Sequence, residues 1–347
     1  MDQTEKIAYN MLAITNDGDY VKLRKIFEKY QSWVKALNAT QELFPITNAA
    51  SEWEKVQKQG INLIMQSDPE YPSSLKEISQ PPHALYIKGK LPNDSIPKIA
   101  IVGTRRCTSN GKTNAYKFGE ELAKNKIIIV SGLALGIDTA AHEGALSAKE
   151  ITLAVLAGGL ENIYPAQNQK LADQIINSGG ALISEYPLFS QIYLGRFLAR
   201  NRIVSGLSKG ILLIEAPQKS GSLSTASFAL QQNRNVYVVP GPINHPNYKG
   251  SHDLIKAGAS LVTEPNDILT DLGLATTSAK SILEKTLSEL TGEETKIYTI
   301  IKLAGEPITI DKIIELSKLE PYIVSSTLTF LAMKNVIKES FGFYEID

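Results

Sequence analysis

The stretch KIAIVGTRRCTSNG, residues 98–111, sets a short apolar run against a turn rich in glycine, hydroxyls and arginine, and the pairing recurs along the middle of the chain. Short Val/Ile/Leu runs at Ile99–Val102, Ile127–Ser131, Leu153–Ala157, Ala181–Ser184, Ile211–Glu215, Val236–Val239 and Ser260–Val262 read as strands. Helical stretches near 111–125, 138–148, 167–178, 221–232 and 251–258 lie between them. Continuous apolar strands alternating with helices predict a parallel sheet of βαβ units, buried on both faces.

Such a sheet binds ligands at the carboxyl ends of its strands. Here those ends read VGTRRCTSNG (102–111), SGLALGID (131–138), LAGGLENIYP (156–165), APQKSGSLSTA (216–226) and PGPINHPNYKG (240–250). One glycine after a strand is an ordinary turn, but five such ends on one edge predict a ligand crevice. Small residues let backbone N–H groups approach a phosphate, and helix N-termini add partial positive charge.

Outside this region the reading is coarser. The N-terminal segment is predicted helical to about Gly60, from the apolar spacing in VKLRKIFEKYQSWVKAL. Prolines 69, 72, 81 and 82 forbid a long helix after it, and Tyr86–Ile87 is a short candidate strand. Domains are expected over 1–65 (helical), 66–273 (the α/β domain) and 292–347, with a linker at 274–291. In the last, Thr295–Leu303, Pro307–Ser317 and Pro321–Lys334 read as helices and Val336–Ile346 as a hairpin around Gly342, a winged-helix-like pattern.

Charge separates these parts. The chain is neutral overall, but residues 98–262 hold 17 basic and 10 acidic side chains, while 293–347 hold 6 and 9. Between Tyr186 and His252 Glu215 is the only acid, against Arg196, Arg200, Arg202, Lys209, Lys219, Arg234 and Lys249. A basic middle domain points to a polyanion partner. The 43% hydrophobic content supports a sizeable core, and no apolar run is long enough to span a bilayer. With no signal-peptide pattern at the N-terminus, a cytoplasmic protein without membrane contact is expected. The single Cys107 excludes an internal disulfide and a cysteine-rich zinc site.

The candidate binding residues follow. Arg105 and Arg106 come just after the first strand, where a guanidinium offers a fork for phosphate and a plane for a base. Gly103 allows the close approach, and Thr108 and Ser109 can donate to phosphate, cap the next helix, or do both. Ser131 and Gly132 close the second strand, and Gly158 and Gly159 the third. Arg200, Asn201 and Arg202 come from the basic window, where Phe197 and Tyr193 either stack on bases or fill the core. Lys219, Ser220, Gly221 and Ser222 resemble an anion-binding helix start. The Walker A, GxGxxG and GxSxG patterns are absent, as is any metal-ligand spacing. Asp138 and His142 fall at i, i+4, but capping and packing account for them better than catalysis. The residues therefore suggest binding without chemistry, with no catalytic group, metal or cofactor. A sensor or enzyme for a small nucleotide is the alternative.

These motifs together resemble the DprA/Smf family of DNA-processing proteins. The resemblance rests on the strand-end motifs above, with ARNRIVSGLSKG (199–210), GALISEYP (180–187), DPEYPSSLKEI (68–78) and PPHALYIKG (81–89), in order over about residues 66–270. It implies an extended Rossmann-like, doubly wound parallel sheet, with a small helical N-terminal domain and a C-terminal winged-helix-like domain. It also implies a homodimer formed through the α/β domain, single-stranded DNA as ligand, and a RecA-type recombinase as partner in natural transformation (competence) and DNA recombination. The family's G-S-R-x-x-S loop is Gly103 to Thr108 here, with threonine for both serines, and Leu135 stands where some members carry a basic residue.

Overall fold

The computed structural model describes residues 2–41, 48–274, 290–334, 336–340 and 342–346. Nine strands form one sheet: β1 Ile61–Met65, β2 Ala84–Gly89, β3 Lys98–Val102, β4 Ile128–Ser131, β5 Thr152–Val155, β6 Ala181–Ser184, β7 Gly210–Leu213, β8 Asn235–Val238 and β9 Ser260–Leu261. Their spatial order is β1-β2-β6-β5-β4-β3-β7-β8-β9. From β6 across to β9 every pairing is parallel. The chain steps outward from β3 to β6, then returns to the other side of β3 at β7. That reversal is the topological switch point, where doubly wound sheets open a crevice.

The central parallel strands are continuous apolar runs because both faces are covered. Ala100, Val102, Val130, Val155, Ile211 and Leu213 pack with Ile203 and Val204 of helix α9 (Leu194–Gly206), with its C-cap Leu207, and with Ala226 and Ala229 of α10 (Gly221–Gln231). On the other face Ala154 and Leu182 join Leu171 and Ile175 of α8 (Gln169–Asn177). Helices α6 (Ser109–Lys124) and α7 (Ile137–Ser147) complete the layers that position the site, and α5 (Ser73–Lys76), α11 (Lys249–Lys256) and α12 (Pro265–Asp271) are shorter helices along the same stretch of chain.

Three features depart from the sequence reading. The stretch 61–65, assigned to the helical N-terminal domain, is strand: β1 pairs antiparallel with β2 from Ile61↔Lys88 to Met65↔Ala84, and β2 pairs antiparallel with β6. A boundary at 65/66 therefore cuts a strand pair. Helices α1 (Gln3–Thr15), α2 (Tyr20–Tyr30), α3 (Trp33–Gln41) and α4 (Ala49–Lys58) share their core with that sheet edge, Leu12, Trp33 and Trp53 clustering with Leu63, Met65 and Tyr86. Residues 1–268 accordingly make one compact unit. The third departure is α9, which the hydrophobic pattern does not show because its buried side includes three arginines.

The C-terminal unit has helices α13 Gly292–Ala304, α14 Ile310–Ser317 and α15 Pro321–Met333, with strands β10 Ile308–Thr309, β11 Lys338–Ser340 and β12 Phe343–Glu345 in the antiparallel order β10-β12-β11. Ile297, Ile301, Ile313, Val324, Leu328 and Leu331 fill its core. A reciprocal cap between Thr291 and Glu294 starts α13. Of the expected linker, 275–289 lies outside the described residues. Among the described residues no helix is long and apolar enough to cross a membrane.

Candidate nucleic-acid interface

A cavity of about 410 Å³ opens at the switch point, between the ends of β3 and β7. The loop after β3, the loop after β4, α9 and the start of α10 form its walls. Gly103 is required at the first turn, because a Cβ there would lie 2.6 Å from Ile137 Cγ1 and 2.9 Å from the Glu215 carbonyl. Gly132 is required beneath the second, where a Cβ would meet the Arg200 guanidinium at 2.3 Å.

Of the expected residues, Gly103, Arg105, Arg106, Gly132, Arg200, Asn201, Lys219, Ser220, Gly221 and Ser222 line this cavity. The Arg105 guanidinium lies over the Phe197 ring, 4.9 Å from its centroid, so the ring belongs to the wall. Arg105, Arg106 and Lys219 are exposed cations at the mouth. Ser220 caps α10, its side chain accepting from the Ser222 N–H at 3.3 Å, and directs the helix N-terminus at the cavity. Asn201 donates to Ser224 Oγ at 2.8 Å and so ties α9 to that turn.

Arg200 forms the floor. Its guanidinium donates to the Gly132 carbonyl at 2.7 Å and to the Val155 carbonyl. Burial pulls its pKa down to about 10, and the nearby Asp138 opposes that shift. Asp138 accepts from the Gly132 N–H at 3.0 Å and the Ala134 N–H at 3.4 Å, which fixes the loop after β4. Burial pushes the Asp138 carboxyl up, against Arg200 and the loop amides. His142 is turned away, with Nδ1 2.8 Å from Thr152 Oγ1, and burial drops its pKa to about 3. The i, i+4 spacing thus reflects a loop anchor and a packed neutral imidazole.

Other expected residues are elsewhere. Arg202 is 4% exposed and paired with the buried Glu185, with the Tyr20 ring 5.4 Å from its guanidinium. It belongs to the packing under α2, because residues two apart on a helix point to opposite sides. Thr108 caps α6, accepting from the Gly111 N–H at 3.0 Å. Ser109, the first residue of α6, is exposed and away from the cavity wall. Ser131 is buried and donates to the Ile101 carbonyl at 2.6 Å. Gly158 and Gly159 line a smaller adjacent cavity with Tyr164 and Ile192, sharing Phe197 and Gly132 with the first. Arg196 is 1% exposed and Arg234 bonds to the Ser74 carbonyl, so the basic window supplies fewer free cations than its composition suggests.

Sequence reading missed what holds the arginine loop. The Glu215 carboxylate, fully buried after β7, accepts from the Thr108 N–H at 3.0 Å, from Thr108 Oγ1, from Asn247 Nδ2 at 2.8 Å and from the Tyr248 hydroxyl at 3.0 Å. Asn247 also donates to the Arg106 carbonyl at 3.0 Å. One carboxylate therefore joins three strand-end loops. Its standing as the only acid in a long basic window was the available signal.

Burial alone would raise the Glu215 pKa, but the donors outweigh it and hold the carboxyl below the ordinary 4.5. A depressed acid stabilises the fold fully above its unfolded pKa, and that contribution is lost as pH falls through the lower folded value. Glu215→Gln is expected to lower stability at pH 7 by about 1–3 kcal/mol, since a donor replaces an acceptor of several bonds. Urea unfolding of both proteins at falling pH checks this. The gap should narrow below about pH 4.5, where the unfolded glutamate protonates.

Comparison with known proteins follows the same core. The family model described as DNA recombination-mediator protein A matches residues 62–273. Protein Smf of Escherichia coli is 42% identical over 229 residues, 66% of this chain and 61% of that one. The chain thus spans less than two thirds of that relative's length. The DNA processing protein DprA of Bacillus subtilis is 42% identical over 216 residues, 62% of this chain and 72% of its own. The structure of DprA from Streptococcus pneumoniae superposes with a TM-score of 0.63 at 34% identity, covering 76% of this chain and 97% of that one. DNA processing protein A from Helicobacter pylori, whose structure concerns its single-stranded DNA binding mode, superposes with a TM-score of 0.55 at 34% identity, covering 61% of this chain and 95% of its own. With the family model spanning the whole crevice-bearing sheet, the chain belongs to the DNA recombination-mediator protein A family.

Proposed function

We propose that this chain binds single-stranded DNA in the crevice between β3 and β7, does no chemistry on it, and presents it to a RecA-type recombinase. The carrying observation is the Arg105–Phe197 pair at a cationic mouth, with Arg106, Lys219 and the α10 N-terminus around it. A flat guanidinium on a ring gives bases a stacking surface, and the surrounding charge suits a phosphate backbone; both tolerate any sequence. The Helicobacter pylori relative's single-stranded DNA binding supports the ligand class. A homodimer formed through the sheet domain, a cytoplasmic location and a role in natural transformation complete the reading.

A length series tests it. Affinity for oligothymidylates should rise steeply from a mononucleotide to oligomers that cover the mouth. A plateau at the mononucleotide would instead make the crevice a nucleotide site.

We assign the C-terminal unit to protein contact. The outer side of α15 presents Tyr322, Ser325, Ser326, Thr329, Phe330 and Met333 to solvent, and Lys334, the one cation within residues 321–334, is paired with Glu294 at 2.6 Å. Phosphate neutralisation supplies most non-specific affinity, and this face has little to neutralise with. Deleting residues 290–347 should leave oligonucleotide affinity unchanged in a fluorescence anisotropy titration. Lost affinity would transfer part of the site to this unit.

A further inference from the structure

The first turn of α9 carries the crevice wall but lacks the usual supports of a helix start. Its N-cap, Tyr193, makes no side-chain capping hydrogen bond, and no acid lies in the turn. Gly195 is the second helical residue, a poor helix former, and residues 191–195 are all exposed. Yet Phe197, in the same turn, carries Arg105.

What fixes the turn is Arg196. Its side chain runs back toward the helix start, as helical side chains do, and is almost completely buried. One guanidinium nitrogen donates to the Gln191 carbonyl at 2.6 Å; the other reaches the Asp17 carbonyl and lies 2.7 Å from Asp17 Oδ1. The group sits 4.3 Å from the Tyr186 ring centroid and 5.0 Å from that of Tyr193. Asp17 belongs to the turn between α1 and α2, in the N-terminal helical layer, which family matching from residue 62 leaves out. The contact therefore crosses from that layer to the residue next to Phe197.

We infer that the Asp17–Arg196 contact makes the N-terminal helical layer a positioning element for the DNA crevice: it holds the first turn of α9 so that Phe197 faces Arg105. A packed helix transmits such a constraint because it moves as a unit. Arg202 fastens the same helix to the layer a second time, against Tyr20. Arg196 and Asp17 are thus positioning residues with no DNA contact of their own. This inference rests on single-stranded DNA being the crevice ligand.

The test uses the full chain and a fluorescent oligothymidylate. Asp17 has φ +53°, so Asp17→Gly removes the carboxylate without straining the backbone. The expected loss of affinity is about tenfold, within the usual range of coupling between sites. The slope of log K against log[salt] should stay that of the unaltered protein, because no phosphate contact is removed. Asp17→Asn, which tolerates the same φ and keeps an acceptor, should recover part of the loss. In a Phe197→Ala background Asp17→Gly should have little further effect, because the layer acts through that ring. Unchanged affinity of a folded Asp17→Gly protein, or an equal loss with and without Phe197, would overturn the inference. If Arg105→Ala weakens binding while Asp17→Gly does not, the crevice stands and only the coupling fails. No binding by the unaltered protein would remove both.

Discussion

Arg105→Ala is expected to weaken oligothymidylate binding by about 10- to 100-fold, the range of one lost base-stacking platform. Arg105 is exposed, lies over the Phe197 ring and lines the cavity mouth. Its removal leaves no buried partner without a bond, so thermal stability should hardly move. The loss should be nearly equal for poly-T, poly-C and mixed sequences, since phosphate and stacking contacts carry little base information. If the side chain also meets a phosphate, the salt slope should fall by about 0.7. Arg105→Ala and Phe197→Ala should combine less than additively, because the two groups touch. Anisotropy titrations of the single and double variants measure all of this, and full affinity in a folded Arg105→Ala protein would remove the crevice from the account.

Arg202→Ala should show the opposite profile. Arg202 and Glu185 are 4% and 6% exposed and bonded to each other. Removing one member leaves a buried charge unpaired, which is expected to lower stability by about 3–5 kcal/mol. Urea unfolding measures the drop. Replacing both members by apolar residues of similar size, Arg202→Met with Glu185→Leu, should recover much of it. At temperatures where Arg202→Ala stays folded, its oligonucleotide salt slope should equal that of the unaltered protein. A reduced slope would return Arg202 to the interface.

The contrast between these arginines shows what the sequence can say. Strands β3 to β8 are legible because buried parallel strands are continuous apolar runs, and the crevice follows from where the small residues end them. The loop Gly103–Arg106 and the start of α10 are placed at the crevice for that reason. Arg202 is not, because ARNRIV gives no apolar stripe: α9 buries Arg196, Arg200 and Arg202 on different neighbours, so its periodicity is hidden. Composition counted those charges as surface, while geometry uses them as internal fasteners. Strand β1 is missed for a different reason. INLIM is too short to separate from the helix before it without knowing that β2 will pair with it. Glu215 shows the same limit, since its four donors come from residues 108, 247 and 248, which only the fold brings together.

The most direct measurement is a salt titration of oligonucleotide binding by the full chain. Log K should fall linearly with log[salt], with a slope near −0.7 for each phosphate neutralised, so that several cations at the mouth give a slope of about −2 or steeper. A mononucleotide should fail to compete at concentrations that saturate the oligomer. A shallow slope together with full competition by a mononucleotide would contradict single-stranded DNA binding in the crevice.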